Sequence, residues 1–328
     1  MLVLALSVVF ALLLDLALGD PKNKYHPTAW IGMLIGKITP LAKSNSGGFE
    51  KLGGIFVVVS ITALVGSVFY FVDHAFAYLN NLDLGIEKIL VLASSVFVIG
   101  LLLKTNIAIK GMQRHASKIM DAISRDDLDA ARTNLSMIVK RSTKNLDRQH
   151  VISATLESIS ENIVDGITGP LFYFAFFGLA GAFVYRTVNT ADSMIGYKND
   201  LFRNLGWFGA NCDKVLNFVP SRLTSMIMII AGMIVGCNWR QSVAVMKRDG
   251  PKTESPNAGY PMATMAGALG VRFEKLDHYV LGDGNTEFTE KHFKTAISMM
   301  KVTAILFAAI FTIPVIVALS YLGWWNIA

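Results

Sequence analysis

Glu157-Ser-Ile-Ser-Glu161-Asn162-Ile163-Val-Asp165-Gly166-Ile-Thr-Gly169-Pro170-Leu-Phe-Tyr-Phe-Ala-Phe-Phe-Gly178-Leu-Ala-Gly181-Ala-Phe-Val-Tyr185-Arg186 joins a row of acids to a long apolar run. Glu157, Glu161 and Asp165 stand four residues apart, so a regular helix would put three mutually repelling carboxylates on one face. A solvated face would tolerate them, but these acids lead straight into Ile163 to Tyr185, where unpaired carboxylates are costly. A bound cation would relieve that cost. Mg²⁺ takes one or two carboxylates plus water and substrate phosphates, so the stripe suits a metal-nucleotide site better than a closed protein cage. Gly166, Gly169, Pro170, Gly178 and Gly181 supply irregular backbone, which membrane depth tolerates only where protein or a wet cavity surrounds it.

Outward from this stretch lie further apolar runs at Leu2 to Leu18, Ile55 to Val72, Ile89 to Leu103, Leu223 to Cys237 and Val302 to Leu322. Their lengths approach the roughly 17 to 25 residues that a spanning helix needs. With 53% hydrophobic and 16% charged residues, the 328-residue chain reads as an all-α polytopic membrane protein. About four to six membrane helices are expected, with re-entrant segments among them. The first run lacks a basic leader and a small-x-small exit and contains Asp15, so it reads as a retained helix. Cys212 and Cys237 match neither a disulfide framework nor a metal spacing. The net charge of +6 is spread over loops without interleaved aromatics, which argues against nucleic acid and for loop charge that sets membrane orientation.

Asp73 to Gly85 contains no Lys or Arg, whereas Lys104 to Arg148 contains ten. The first is expected outside and the second in the cytoplasm. Gly19 to Gly54 and Asn238 to Met300 are basic and join the cytoplasmic side. Parity then requires that Ile163 to Tyr185 and Leu223 to Cys237 both cross or both not. The glycine-rich backbone favours the second, with both as re-entrant or buried hairpins. A cytoplasmic helical insert is expected over about 104–162, with Leu128, Ala131, Leu135 and Ile138 on one stripe and Ser124 or Asp126 as N-cap. Motif-bearing cytoplasmic loops follow at about 186–222 and 238–300, within a single integral membrane domain covering 1–328.

A second cluster, Tyr185-Arg186-x-x-Asn189-Thr190-x-Asp192-Ser193-x-x-Gly196-Tyr197-Lys198, packs cations, a carboxylate, amides and hydroxyls together. Arg186 and Lys198 can hold phosphates, the first with a planar fork and the second as a point charge, and Asp192 could share a metal with the first cluster. Helix capping by Asn189 or Thr190 is the plainer alternative. Asp213, Asn217, Pro220, Arg222 and Thr224 form a third group, in which Arg222 could simply snorkel. Ser255-Pro-Asn257-Ala-Gly259-Tyr-Pro261 is a rigid loop whose Asn257 can read a ligand or hold the turn. Gly19-Asp20-Pro21 and His26-Pro27 have the same ambiguity. No P-loop, dinucleotide fingerprint, nucleophile elbow or zinc helix is present.

In combination and in order, these motifs resemble the adenosylcobinamide-phosphate synthase family of cobalamin biosynthesis, known as CbiB or CobD. The resemblance covers nearly the whole chain. It departs where the family has Gly-Arg-Asp-Thr and this chain has Lys140-Arg141-Ser142-Thr143, and where an Asp-Asp pair becomes Asp213-Lys214. The resemblance implies an ATP-dependent ligase at the cell membrane, with a cytoplasmic site. It would join adenosylcobyric acid, a corrinoid, to (R)-1-amino-2-propanol or its O-phosphate. It implies ATP and Mg²⁺, with Glu157, Glu161 and Asp192 as metal ligands or bases and Asp165 beside them as a further catalytic acid. Arg186, Lys198 and Arg222 would bind phosphates, and Asn162, Asn189 and Asn257 would orient substrate. Asp20, His26, Thr190, Ser193, Tyr197, Ser255 and Gly259 complete the expected site. Membrane lipid surrounds such a protein, and a homo-oligomer or association with other cobalamin pathway enzymes is compatible with it. A transporter of a small polar or corrinoid substrate is the rival reading, because carboxylates and broken helices also describe carriers.

Overall fold

The computed structural model describes every residue except 22, 83–84, 197–200, 285 and 327–328. Its helices are α1 (Leu2–Leu18), α2 (Pro27–Ile38), α3 (Gly47–Asn81), α4 (Glu87–Lys104), α5 (Ile109–Ser124), α6 (Leu128–Leu135) and α7 (Arg148–Ile163). They continue with α8 (Gly169–Ile195), α9 (Trp207–Leu216), α10 (Phe218–Val235), α11 (Trp239–Asp249), α12 (Gly259–Leu269), α13 (Glu290–Phe307) and α14 (Ile313–Tyr321). One antiparallel hairpin, β1 (Phe273–Lys275) with β2 (Tyr279–Leu281), interrupts them. Among the described residues, five stretches are long and apolar enough to cross a membrane: Gly47–Asn81, Glu87–Ser124, Arg148–Ile195, Phe218–Val235 and Glu290–Tyr321. With the shorter apolar α1, the chain builds the all-α polytopic membrane protein that its composition predicts.

The chain groups into two compact units. One comprises Met1–Ile107, Gly169–Leu216 and Ala308–Ala328, and the other Ala108–Thr168 and Asn217–Phe307. The expected helical insert thus packs together with residues 217–307 in the second unit.

In the first unit α1 packs on α4, α2 packs on α8, and α3 runs along α8. Helix α3 continues past Val72 to Asn81, so Asp73 is helical and only a short connection remains before α4. The apolar part of α8 does not run straight. Phe177 and Gly178 leave helical geometry, with Gly178 at φ 60 and ψ −148, a conformation that only glycine adopts without strain. Beyond this turn the chain comes back along itself. A Cβ at Gly169 would lie 2.3 Å from the Tyr185 ring, and the rings of Tyr173 and Tyr185 stack at 5.3 Å. In a straight helix, residues 169 and 185 would be about 24 Å apart. The expected hairpin is therefore present and turns at residues 177–178. Asp73 sits at this turn and accepts from the Ala180 N–H at 3.1 Å, capping the returning arm.

The second unit is built around α7 and α12, with α5 and α6 against α7, α11 against α12, and α10 beside α12 and α13. Ala131 and Leu135 are buried as the stripe predicts. The cap differs, because Asp127 accepts from the Ala130 N–H at 2.9 Å. Asp126, at φ 58, turns the chain so that the next residue reaches the helix end. Helix α10 also differs from the expected hairpin. It is one unbroken helix of 18 residues ended by Gly236 in the left-handed region, because Pro220 falls in its first turn, where proline is tolerated.

Candidate functional site

In the first unit, the C-terminal end of α4 is a collecting point. Lys104, 4% exposed, reaches Asp15 at 3.6 Å and Asp20 at 3.1 Å. Asp15 is wholly buried within α1, where a carboxylate needs such a partner. His26 stands at the N-cap position of α2 without a side-chain capping bond, with Pro27 opening the helix, and lies 3.8 Å from Asp20. Burial alone would raise the Asp20 pKa, but His26 and Lys104 outweigh it and hold the carboxyl below its ordinary value. The next residue, Thr105, accepts through its carbonyl from the Thr28 hydroxyl at 3.3 Å. Asn106 accepts through its carbonyl from the Arg186 guanidinium. Arg186 also reaches the Asn189 side-chain oxygen at 3.5 Å, and the Asn189 amide donates to Asp213 at 3.2 Å. Three consecutive residues thus tie the Gly19-Asp20-Pro21 and His26-Pro27 motifs to the Arg186 motif.

In the second unit Glu157 is 5% exposed and accepts from the Ser153 hydroxyl at 2.8 Å and the Tyr279 hydroxyl at 2.7 Å. Arg141 lies 3.5 Å away. Burial, with the negative charge of Glu157 and Glu161, raises the Tyr279 pKa, so its hydroxyl stays protonated and donates. Glu161 occupies an exposed face of α7. The backbone then enters a π-turn at Val164–Thr168, which breaks the regular four-residue spacing before Asp165. Asp165 accepts from the Asn217 amide at 3.3 Å. The Asn162 side chain lies against Gly166, where a Cβ would stand 2.5 Å from its oxygen.

The Ser255–Gly259 loop packs through Arg222. The guanidinium donates to Asn257 at 3.0 Å, Phe218 O at 2.7 Å and Pro256 O at 3.3 Å. It also lies over the Phe218 and Tyr260 rings at 3.7 and 4.4 Å. The Ser255 hydroxyl accepts from the N–H groups of Asn257 and Ala258. Gly259 is required by close approach, since a Cβ would fall 2.1 Å from Gly250 O. Tyr279 links the two groups, since its hydroxyl also lies 3.8 Å from Met262 Sδ on α12.

Thr190 donates to Arg186 O at 2.7 Å, while Ser193 is exposed and Asp192 half-buried. Tyr197 and Lys198 lie outside the described residues. Among the described residues, no three His, Cys, Asp or Glu side chains are grouped to hold a metal ion. Both Glu157 oxygens accept from protein donors, which fixes the orientation of the carboxylate.

The CobD/Cbib protein family profile matches residues 8–318. The chain belongs to the CobD/CbiB family. It is 36% identical over 300 residues to "Probable cobalamin biosynthesis protein CobD" of Methanothermobacter thermautotrophicus, covering 92% of this chain and 94% of that one. It is 37% identical over 278 residues to cobalamin biosynthesis protein CobD of Dehalococcoides mccartyi, covering 85% and 86%. No solved structure matches the chain.

For this CobD/CbiB member, sequence reading singles out most of the residues that gather, but passes over Lys104, Asn106, Tyr279 and Asp249. Asp15 inside an apolar helix signals a buried cation, and Lys104 at the end of another apolar run is its natural partner. Tyr279 carries no comparable signal, because its strand is three residues long. Asp249, wholly buried, accepts from Gly282 N–H at 2.8 Å and pairs with Arg248 and Lys252, both at 2.6 Å. It braces the connection that follows the hairpin.

Proposed function

We propose that this chain uses ATP to join the free carboxylate of adenosylcobyric acid to (R)-1-amino-2-propanol or its O-phosphate. The product is adenosylcobinamide or adenosylcobinamide phosphate. The observation that carries the reading is the gathering of motif residues from separate parts of the sequence. Asp20, His26, Arg186 and Asn189 meet at the end of α4, and Glu157 sits in a bonded network on α7. Membership of a cobalamin biosynthesis family supports it.

A carboxylate is a poor acyl donor. In the proposed course its oxygen attacks the γ-phosphorus of ATP, ADP leaves, the amine attacks the acyl carbon, and phosphate departs carrying that oxygen. Glu161, on the exposed face of α7, is the candidate base for the ammonium nucleophile. Arg186 and Lys198 are the candidate phosphate holders, and Asn162, Asn189 and Asn257 orient substrate through their amides. Arg222 is committed to the Pro256–Asn257 turn and acts through that loop. The donors around Glu157 suit a positioning acid, while Glu161 and Asp192 stay metal or base candidates, and Mg²⁺ would be met largely by phosphate oxygens and water. Bound with the nucleotide, Mg²⁺ would neutralise the charge of the transferred phosphoryl group. Asp165 stays held by the Asn217 amide.

The site is proposed to face the cytoplasm at the cell membrane. Purified protein in liposomes, given ATP, adenosylcobyric acid and either amine, should form the amide with stoichiometric ADP. Substrate flux without ATP consumption would instead establish a carrier.

A further inference from the structure

Helix α2 lies between α1 and α3 in the chain and carries an outward face that the proposed reaction does not use. Its inward face holds Ile31 and Ile35, 6% and 1% exposed, whereas Trp30 and Met33 on the opposite face are 50% and 56% exposed. Lys37 continues that outward face, and Tyr25 and Leu41 extend it at either end, 63% and 83% exposed. Residues 19–46 contain one acid, Asp20, against Lys22, Lys24, Lys37 and Lys43. Asp20 is turned inward to Lys104, so the face is aromatic, apolar and cationic.

The packing fixes its level. The Met194 side chain lies 3.4 and 3.6 Å from where a Cβ would stand on Gly32 and Gly36. Gly209, one helix over, meets Val58 at 3.4 Å and Ala191 at 3.8 Å. That part of α8 therefore stands beside the start of the apolar run of α3, which a spanning reading of α3 puts at the edge of the hydrocarbon layer. Aromatic side chains flanked by lysines favour that boundary, and lysines there draw anionic headgroups. We infer that α2 lies in the plane of the cytoplasmic leaflet and docks on acidic phospholipid headgroups through Trp30, Met33 and Lys37, with Lys24 beside them. Because His26 and Thr28 at its start bond to the α4 cluster, the docked helix bears directly on the candidate site.

The test is independent of the reaction. Full-length protein with Cys212→Ser, Cys237→Ser and Met33→Cys, labelled with bimane, is reconstituted in phosphatidylcholine vesicles with and without phosphatidylglycerol, each containing brominated lipid. Leu41→Cys serves as a second label position should Met33→Cys fold poorly. The expected result is blue-shifted emission and at least a twofold gain in bromine quenching on adding phosphatidylglycerol. Lys24→Gln with Lys37→Gln should abolish that gain. Water-like emission in both vesicles, or quenching indifferent to acidic lipid, overturns the proposal. So does shielding that grows with the protein-to-lipid ratio, which would assign the face to a second copy of the chain.

Discussion

Arg222 shows how one residue type serves two readings. A guanidinium beside an apolar helix invites a phosphate, yet it bonds Phe218 O, Pro256 O and Asn257 within the fold, and it lies over two rings. Lysine cannot reproduce a planar fork stacked on aromatics, so Arg222→Lys should lower the unfolding free energy by about 2 kcal/mol. Denaturant unfolding in detergent would check this, and an unchanged midpoint would return Arg222 to the phosphate-binding candidates. Asp249 gives a pH dependence with a definite sign. Burial alone would raise its pKa, but Arg248, Lys252 and the Gly282 N–H hold it well below its ordinary value of 3.8. Its stabilisation is present above that value and fades as pH falls through it. Asp249→Asn should therefore lower Tm at neutral pH, by an amount that shrinks on acidification. A gap that stays constant with pH would mean that the carboxylate charge is not what matters. The acids flagged in the sequence are legible as candidates because carboxylates beside lipid are costly. Their separate roles are not, because the partners that distinguish them, Tyr279 for Glu157 and Asn217 for Asp165, lie over fifty positions away in the sequence.

The hairpin within α8 was legible as irregular backbone because glycines crowd an apolar run. The position of its turn was not, since several glycines compete and only packing selects Gly178. Any side chain there meets both a positive φ and the Asp73 carboxylate, whose oxygen would lie 2.7 Å from the new Cβ. Gly178→Ala should cost about 1 to 3 kcal/mol, seen as a lowered Tm in detergent. A neutral result would mean that the turn relaxes easily and does not position the returning arm. For α10 the expected hairpin rests on span parity with the glycine-rich run at 163–185 and not on its own residues, and the segment instead forms one unbroken helix. The β-hairpin was invisible for a different reason, since two three-residue strands leave no alternation to count.

At the scale of the whole chain, hydropathy marks out the membrane class and most spans, while the lysine and arginine asymmetry is the basis of the proposed orientation. It does not foretell that residues 108–168 and 217–307 fold as one unit, because contacts between distant segments leave no periodic trace. The proposed orientation predicts that Ser193, which is exposed, reacts as Ser193→Cys with a permeant thiol reagent and not with an impermeant one added outside. Exclusive external labelling would place the Arg186 motif on the wrong side for cytoplasmic ATP. The proposed chemistry is reached most directly by isotope. Adenosylcobyric acid carrying ¹⁸O in its free carboxylate, turned over by the purified protein in liposomes with ATP and the amine, should release phosphate bearing one ¹⁸O. Amide formed with unlabelled phosphate, or without ATP cleavage, would contradict activation of the carboxylate as an acyl phosphate.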